Sequence, residues 1–85
     1  MARVELYSTP TCPYCIMARA LLRKKKVCFE EIDVANDPRK RDWLRTATGR
    51  HTVPQIFIGG TPVGGYDDLA ELEAKGKLDA LLAGT

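Results

Sequence analysis

Within the first 34 residues a β-prone run, a turn, an amphipathic helix and a second β-prone run follow one another, and this order constrains the fold most. Val4-Glu5-Leu6-Tyr7 is stopped by the turn formers Ser8-Thr9-Pro10-Thr11. From Pro13 onward Met17, Ala18, Leu21 and Leu22 recur at helical spacing, with Arg19, Arg23, Lys24 and Lys25 on or near the other face. Proline suits the first helical position, and the cations complement the negative pole at the far end. Val27-Cys28-Phe29-Glu30-Glu31-Ile32-Asp33-Val34 then reads as a strand. Two strands separated by a helix cannot form a hairpin. They are expected to lie parallel, joined by a right-handed crossover.

Beyond this unit, Asn36-Asp37-Pro38 supplies a cap and a first-turn proline for a second helix, in which Trp43, Leu44 and Ala47 share a face and which Gly49 ends. Val53–Ile58 is a third strand, Gly59-Gly60 a hairpin turn and Thr61-Pro62-Val63-Gly64 a short fourth strand, the hairpin expected at a sheet edge. Asp67 or Asp68 is expected to cap a third helix, with Glu71 three residues after Asp68 giving a capping-box pattern, and Leu78, Leu81 and Leu82 mark a short last helix. The order βαβαββα plus a short terminal helix predicts an α/β fold: a four-stranded mixed sheet with helices on both faces. Ligands of such sheets sit beyond the carboxyl ends of the parallel strands, which places the Ser8–Cys12 loop at the site.

At 85 residues there is room for one core, so residues 1–85 are expected to form one domain. A net charge of +2 makes nucleic acid a poor partner. No apolar run approaches the ~20 residues that span a bilayer, and Met1–Leu6 lacks the apolar stretch of an export signal. Three cysteines, an odd number, do not make the disulfide framework of a small secreted domain. A reducing, cytoplasmic setting is expected, and the cysteines become candidates for chemistry.

Cys12-Pro13-Tyr14-Cys15 directly follows the first strand and opens the first helix. Residues three apart at a helix start lie on neighbouring turns, within the roughly 5–6 Å between α-carbons that a disulfide needs. Cys12 sits where unpaired backbone N–H groups and the positive pole converge, which favours thiolate; an ordinary cysteine is only about 3% ionised at neutral pH. Cys15, one turn inside, is expected to keep its proton more tightly and to act second. A metal site would need four ligands, and beyond this pair only Cys28 and His51 remain as thiol or imidazole donors. Cys28 reads as a small core residue of the second strand and His51 as a solvated loop residue.

These residues, with Thr52-Val53-Pro54 and Gly64-Gly65-Tyr66-Asp67-Asp68, resemble the three signature segments of dithiol glutaredoxins. Together with Gln55-Ile56-Phe57-Ile58-Gly59-Gly60 the chain looks most like short bacterial members of the glutaredoxin 3 type. The resemblance implies a thioredoxin-like fold and glutathione as co-substrate, with no tightly bound cofactor and no metal. It implies that Pro54 is a cis-proline, leaving the Val53 backbone to pair with the tripeptide as an added strand. It implies further that Gly65, Tyr66 and Asp67 receive the γ-glutamyl end, that Tyr14 and Thr52 line the groove, and that Arg41 meets the glycine-end carboxylate. Many members carry a lysine three residues before the first cysteine; here that position is Thr9. The expected activity is glutathione-dependent reduction of protein disulfides and glutathionylated proteins by a monomer. The alternatives are a redoxin recycled by a flavoprotein reductase and a dimeric iron-sulfur cluster-binding module.

Overall fold

The computed structural model describes residues 2–50 and 52–83; His51 lies outside them. The elements in order are β1 (Val4–Ser8), α1 (Pro13–Lys24), β2 (Glu30–Asp33), α2 (Pro38–Thr48), β3 (Gln55–Ile58), β4 (Thr61–Gly64), α3 (Tyr66–Ala74) and α4 (Leu78–Leu82). They form one four-stranded mixed sheet in the order β2-β1-β3-β4. β1 runs parallel to β2 with Tyr7 opposite Ile32, and antiparallel to β3 with Leu6 opposite Ile56. Of the terminal hairpin only β4 is an edge, because β3 is the antiparallel neighbour of β1 and so lies inside the sheet. The Gly59-Gly60 turn has φ of 61° and 81°, and two successive positive φ values are what a tight hairpin twisted like its strands requires.

Alternation along the strands divides the core in two. Val4, Leu6, Ile56 and Ile58 face Ala18 and Leu22 of α1, Leu69 of α3 and Leu78 and Leu82 of α4. Tyr7 and Phe57 point to the opposite face and meet Leu44 of α2 and Val34. Helices therefore cover both faces, as the sequence predicts. α2 is capped by Asp37, whose carboxylate accepts from the Lys40 N–H at 3.0 Å, and ends at Gly49 in the left-handed conformation.

Several local expectations need correction, among them the third strand, which begins at Gln55 after the cis Val53–Pro54 bond and not at Val53. The second strand is only Glu30–Asp33, and Cys28 precedes it in an exposed position. Val27 and Phe29 turn inward against the core, so the residue between them points out. Of the expected α2 face only Leu44 is buried; Trp43 stays half-exposed, stacked on Phe57 at 5.6 Å and tilted against Tyr7 at 5.5 Å. A single helix covers that side of the sheet, so a ring at its margin keeps one side in water. Finally, α3 starts two or three residues earlier than an Asp67 or Asp68 cap would put it, with Gly65 as N-cap. Glycine has no side chain to cap with, and Asp68 supplies the missing half by accepting from the Gly65 N–H at 3.0 Å.

Candidate active site

β1 delivers the chain to the cysteine pair from the interior of the sheet. Ser8 is buried at its end, and its backbone carbonyl accepts from the Val34 N–H at 2.9 Å. After the Thr9–Thr11 turn, Cys12 is the N-cap of α1 in an extended conformation, and Pro13 occupies the first helical turn. The Cys12 carbonyl accepts from the Ile16 N–H at 3.1 Å, which fixes the backbone of the pair as helix begins. Its side chain caps no helix amide; Sγ donates at 3.7 Å to the carbonyl of Val53.

Cys15 faces the core and is fully buried. Burial pushes its thiol up to about 11, with the neighbouring Cys12 adding to the rise, against a pull downward from hydrogen bonds with the Thr9 backbone and hydroxyl. Both cysteines are free. The position expected to hold a lysine thus carries a hydroxyl that serves the inner sulfur instead.

Across from α1 the loop before β3 and the start of α3 close a groove. The Val53–Pro54 peptide bond is cis, as the resemblance implies. Tyr14, Arg50, Thr52, Val53, Pro54, Gly65, Tyr66, Asp67 and Asp68 line a cavity of about 420 Å³. Tyr14 and Tyr66 face each other over it with ring centroids 6.4 Å apart. The structure thereby brings together every expected groove residue except Arg41, which borders a separate shallow cleft with Leu44, Thr52 and Val53. A larger hollow of about 710 Å³ lies elsewhere, between β4, α3 and α4, and contains no cysteine. The smaller groove is the one next to the cysteine pair, because Val53, whose carbonyl Cys12 Sγ contacts, lines it.

Two lining residues are absent from the sequence reading as site residues. Arg50 Nη1 donates to Asp68 Oδ2 at 2.8 Å, and the same oxygen receives the Gly65 N–H. Arg50 and the Gly65 amide together hold the Asp68 carboxyl below the ordinary carboxylate range. Gly64 makes room for this arrangement: at φ +122° it has no Cβ, and one placed there would stand 2.3 Å from Asp68 Oδ2. The pair spans 18 residues of sequence, and no local pattern announces it.

Comparison with known proteins agrees with this geometry. The glutaredoxin family model matches residues 4–63. The chain is 50% identical over 82 residues to Glutaredoxin 3 of Escherichia coli (strain K12), covering 96% of this chain and 99% of that one. The chain belongs to the glutaredoxin family. Another glutaredoxin, from Pseudomonas aeruginosa, is 53% identical over 83 residues, covering 98% of this chain and 99% of its own. Among solved glutaredoxins, the solution structure from Brucella melitensis superposes with a TM-score of 0.87 at 51% identity, covering 96% of this chain and 89% of that one. A buckwheat glutaredoxin-glutathione complex superposes with a TM-score of 0.90 at 28% identity, covering 96% of this chain and 77% of that one. The fold of this glutaredoxin is thus thioredoxin-like, as expected, and the family makes it a thiol oxidoreductase. No helix among the described residues is long and apolar enough to cross a membrane.

Proposed function

We propose that this glutaredoxin reduces protein disulfides and glutathione mixed disulfides with glutathione as electron donor, through Cys12 and Cys15. The observation that carries the reading is the inequality of the two sulfurs. Cys12 is partly exposed and touches the Val53 carbonyl on the groove wall, whereas Cys15 is buried and its thiol is pushed up to about 11. The Cys12 thiolate attacks one sulfur of the target disulfide, forms a mixed disulfide and expels the other sulfur as thiolate. With a protein disulfide, Cys15 then gives up its proton and attacks Cys12 Sγ, leaving a Cys12–Cys15 disulfide and a fully reduced target. Two glutathione molecules return the pair to dithiol and leave as glutathione disulfide. With a glutathionylated protein, Cys12 attacks the glutathione sulfur, the protein thiolate leaves, and a second glutathione releases the first.

Glutathione has a thiol between two amides and charged ends, and the groove offers matching partners. Thr52 and Val53 present backbone for an extended peptide, Tyr14 flanks the sulfur, and the first turn of α3 at Gly65, Tyr66 and Asp67 offers amides to a carboxylate and a carboxylate to an ammonium. Arg41 would meet the glycine-end carboxylate, a reading supported by the neighbouring cleft it lines together with Thr52 and Val53 of the groove. The protein acts as a cytoplasmic monomer of one domain, a reading supported by its cysteine usage and small size.

The two single-cysteine variants test this. Cys15→Ser is expected to retain deglutathionylation and lose reduction of protein disulfides, while Cys12→Ser loses both. Equal loss of both activities in Cys15→Ser contradicts the division of labour, and turnover by Cys12→Ser above free glutathione contradicts the choice of nucleophile.

A further inference from the structure

The surplus positive charge of the chain sits on one helix. α2 carries Arg39, Lys40, Arg41 and Arg45 against the single acidic residue Asp42, a surplus larger than the +2 of the whole molecule, so the sequence outside α2 is net acidic. Arg45 is paired with Asp42 at 3.2 Å, whereas the side chains of Arg39, Lys40 and Arg41 are exposed and meet no acidic partner among the described residues. Asp37 spends its carboxylate on the Lys40 backbone N–H. Helix stability does not account for this triplet. The start of a helix is its positive pole, where acidic side chains stabilise and cations cost, and the first turn of α2 holds no acidic residue. The cations of α1 differ: Arg23 and Lys24 stand in its last turn, where the pole is negative and the fold itself rewards them.

Topology brings this turn to the reactive end of the molecule. β1 and β2 are parallel, so α1 and α2 both start beyond the carboxyl ends of their strands, and the Val34 N–H donated to the Ser8 carbonyl at 2.9 Å ties the two exits together. Arg41 shares a cleft with Thr52 and Val53, and the Val53 carbonyl is the one that Cys12 Sγ contacts. Trp43, four positions after Arg39 and three after Lys40, lies on their side of the helix, half-exposed with its ring stacked on Phe57. A ring held in place beside cations suits a segment that is acidic and carries an apolar side chain. We propose that Arg39 and Lys40, with Trp43 beside them, dock an acidic segment of the protein substrates, the stretch that follows the cysteine attacked by Cys12. The proposal rests on the reading of the groove as the place where an extended peptide pairs with Val53, and it names the substrate class. A polypeptide lying there continues past the point where glutathione ends, over Arg41, onto the first turn of α2. A polynucleotide fits less well, since the molecule outside α2 offers its phosphates no surplus of cations.

The experiment uses the full-length protein and two disulfide-closed peptides, one followed by a run of glutamates and the other by an equal run of glutamines. Their reduction rates are read with glutathione and its reductase, and a transfer assay follows glutathione from a mixed disulfide to Cys12. At about 20 mM salt the glutamate peptide is expected to be reduced roughly three- to tenfold faster than the glutamine peptide, and at about 0.5 M salt the two rates converge. Arg39→Gln with Lys40→Gln is expected to remove the preference while leaving the glutamine peptide and glutathione transfer within about twofold. Arg39→Lys with Lys40→Arg, which keeps both charges, is expected to retain it. Equal rates for the two peptides in the parent protein overturn the proposal, and so does a preference that survives the glutamine substitutions or ignores salt. Equal slowing of both peptides overturns it as well, since the cations would then serve the fold. Reduction of neither peptide, with glutathione transfer intact, overturns the protein-disulfide reading of the function and the proposal with it. Trp43, the one tryptophan of the chain, reports binding directly: its fluorescence is expected to change with a glutamate peptide bearing serines for cysteines. Tighter binding by a single-stranded oligonucleotide of the same charge would assign the surface to nucleic acid and overturn the choice of partner.

Discussion

Cys12 Sγ donates to the carbonyl of Val53 across 41 residues of sequence, so this sulfur is tied to the residue that precedes the cis-proline. Cys15, three positions on, is fully buried.

Thiol labelling should follow that placement. With iodoacetamide at about pH 8, Cys28 and Cys12 are expected to be alkylated in the folded protein and Cys15 only after unfolding. A thiol near 11 is ionised to about one part in a thousand at that pH, and here it is also shielded from reagent. Peptide mass spectrometry after brief exposure reads the order. Labelling of Cys15 as fast as Cys28 would contradict it.

Alkaline stability carries a second consequence of the same thiol. Its folded value lies above the ordinary 9.0, so its contribution is complete below about pH 9 and is lost as pH rises through about 11. Two units correspond to roughly 2–3 kcal/mol. Cys15→Ser is therefore expected to flatten the decline of unfolding free energy between pH 9 and 11. Denaturant titrations of both proteins at several pH values compare them, and parallel declines would refute the assignment.

Under the same helix, Arg19 of α1 pairs with Glu31 of β2, and Ser8 Oγ donates to Glu31 Oε2 at 2.8 Å. The Arg19 contacts, helped by Ser8, hold Glu31 below its ordinary range. The pair therefore stabilises the fold above about pH 4.5 and loses this contribution as pH falls through the lowered value. Glu31→Gln is expected to cost about 1 kcal/mol at neutral pH, a gap that closes in acid. A constant difference across that range would show that shape, not charge, matters at this position.

Gly64→Ala should disturb both stability and binding. The added Cβ is strained at φ +122° and meets the Asp68 carboxylate, which must then give up Arg50 or the Gly65 amide. A loss of about 1–3 kcal/mol is expected, together with weaker capture of glutathione. Calorimetry and the transfer assay measure the two effects. A variant that keeps both would mean that α3 shifts without harm.

Features resting on local chemistry were the legible ones. Asp37 before Pro38, Gly49 after Thr48 and Gly59-Gly60 each force one backbone outcome wherever they occur. Cys12-Pro13-Tyr14-Cys15 is legible for the same reason: a strand, a turn and a helix start place both sulfurs within a single turn. Cys28 misleads because its neighbours Val27 and Phe29 are core residues, and an apolar run does not reveal which members alternate outward. Trp43 misleads because periodicity gives a face but not the width of the layer above it. The Arg50–Asp68 contact joins a loop to a helix that only the folded sheet brings together, and two charges separated by 18 residues carry no signal in composition or spacing.

β1 has a strand on each side, whereas α3 rides over the β3–β4 end of the molecule. Cys12 therefore follows an inner strand of the sheet, and the wall opposite it belongs to the sheet's periphery. Replacements along that outer wall can retune which partner is accepted while the geometry of electron exchange stays put, so this architecture lets preference drift without rebuilding reactivity.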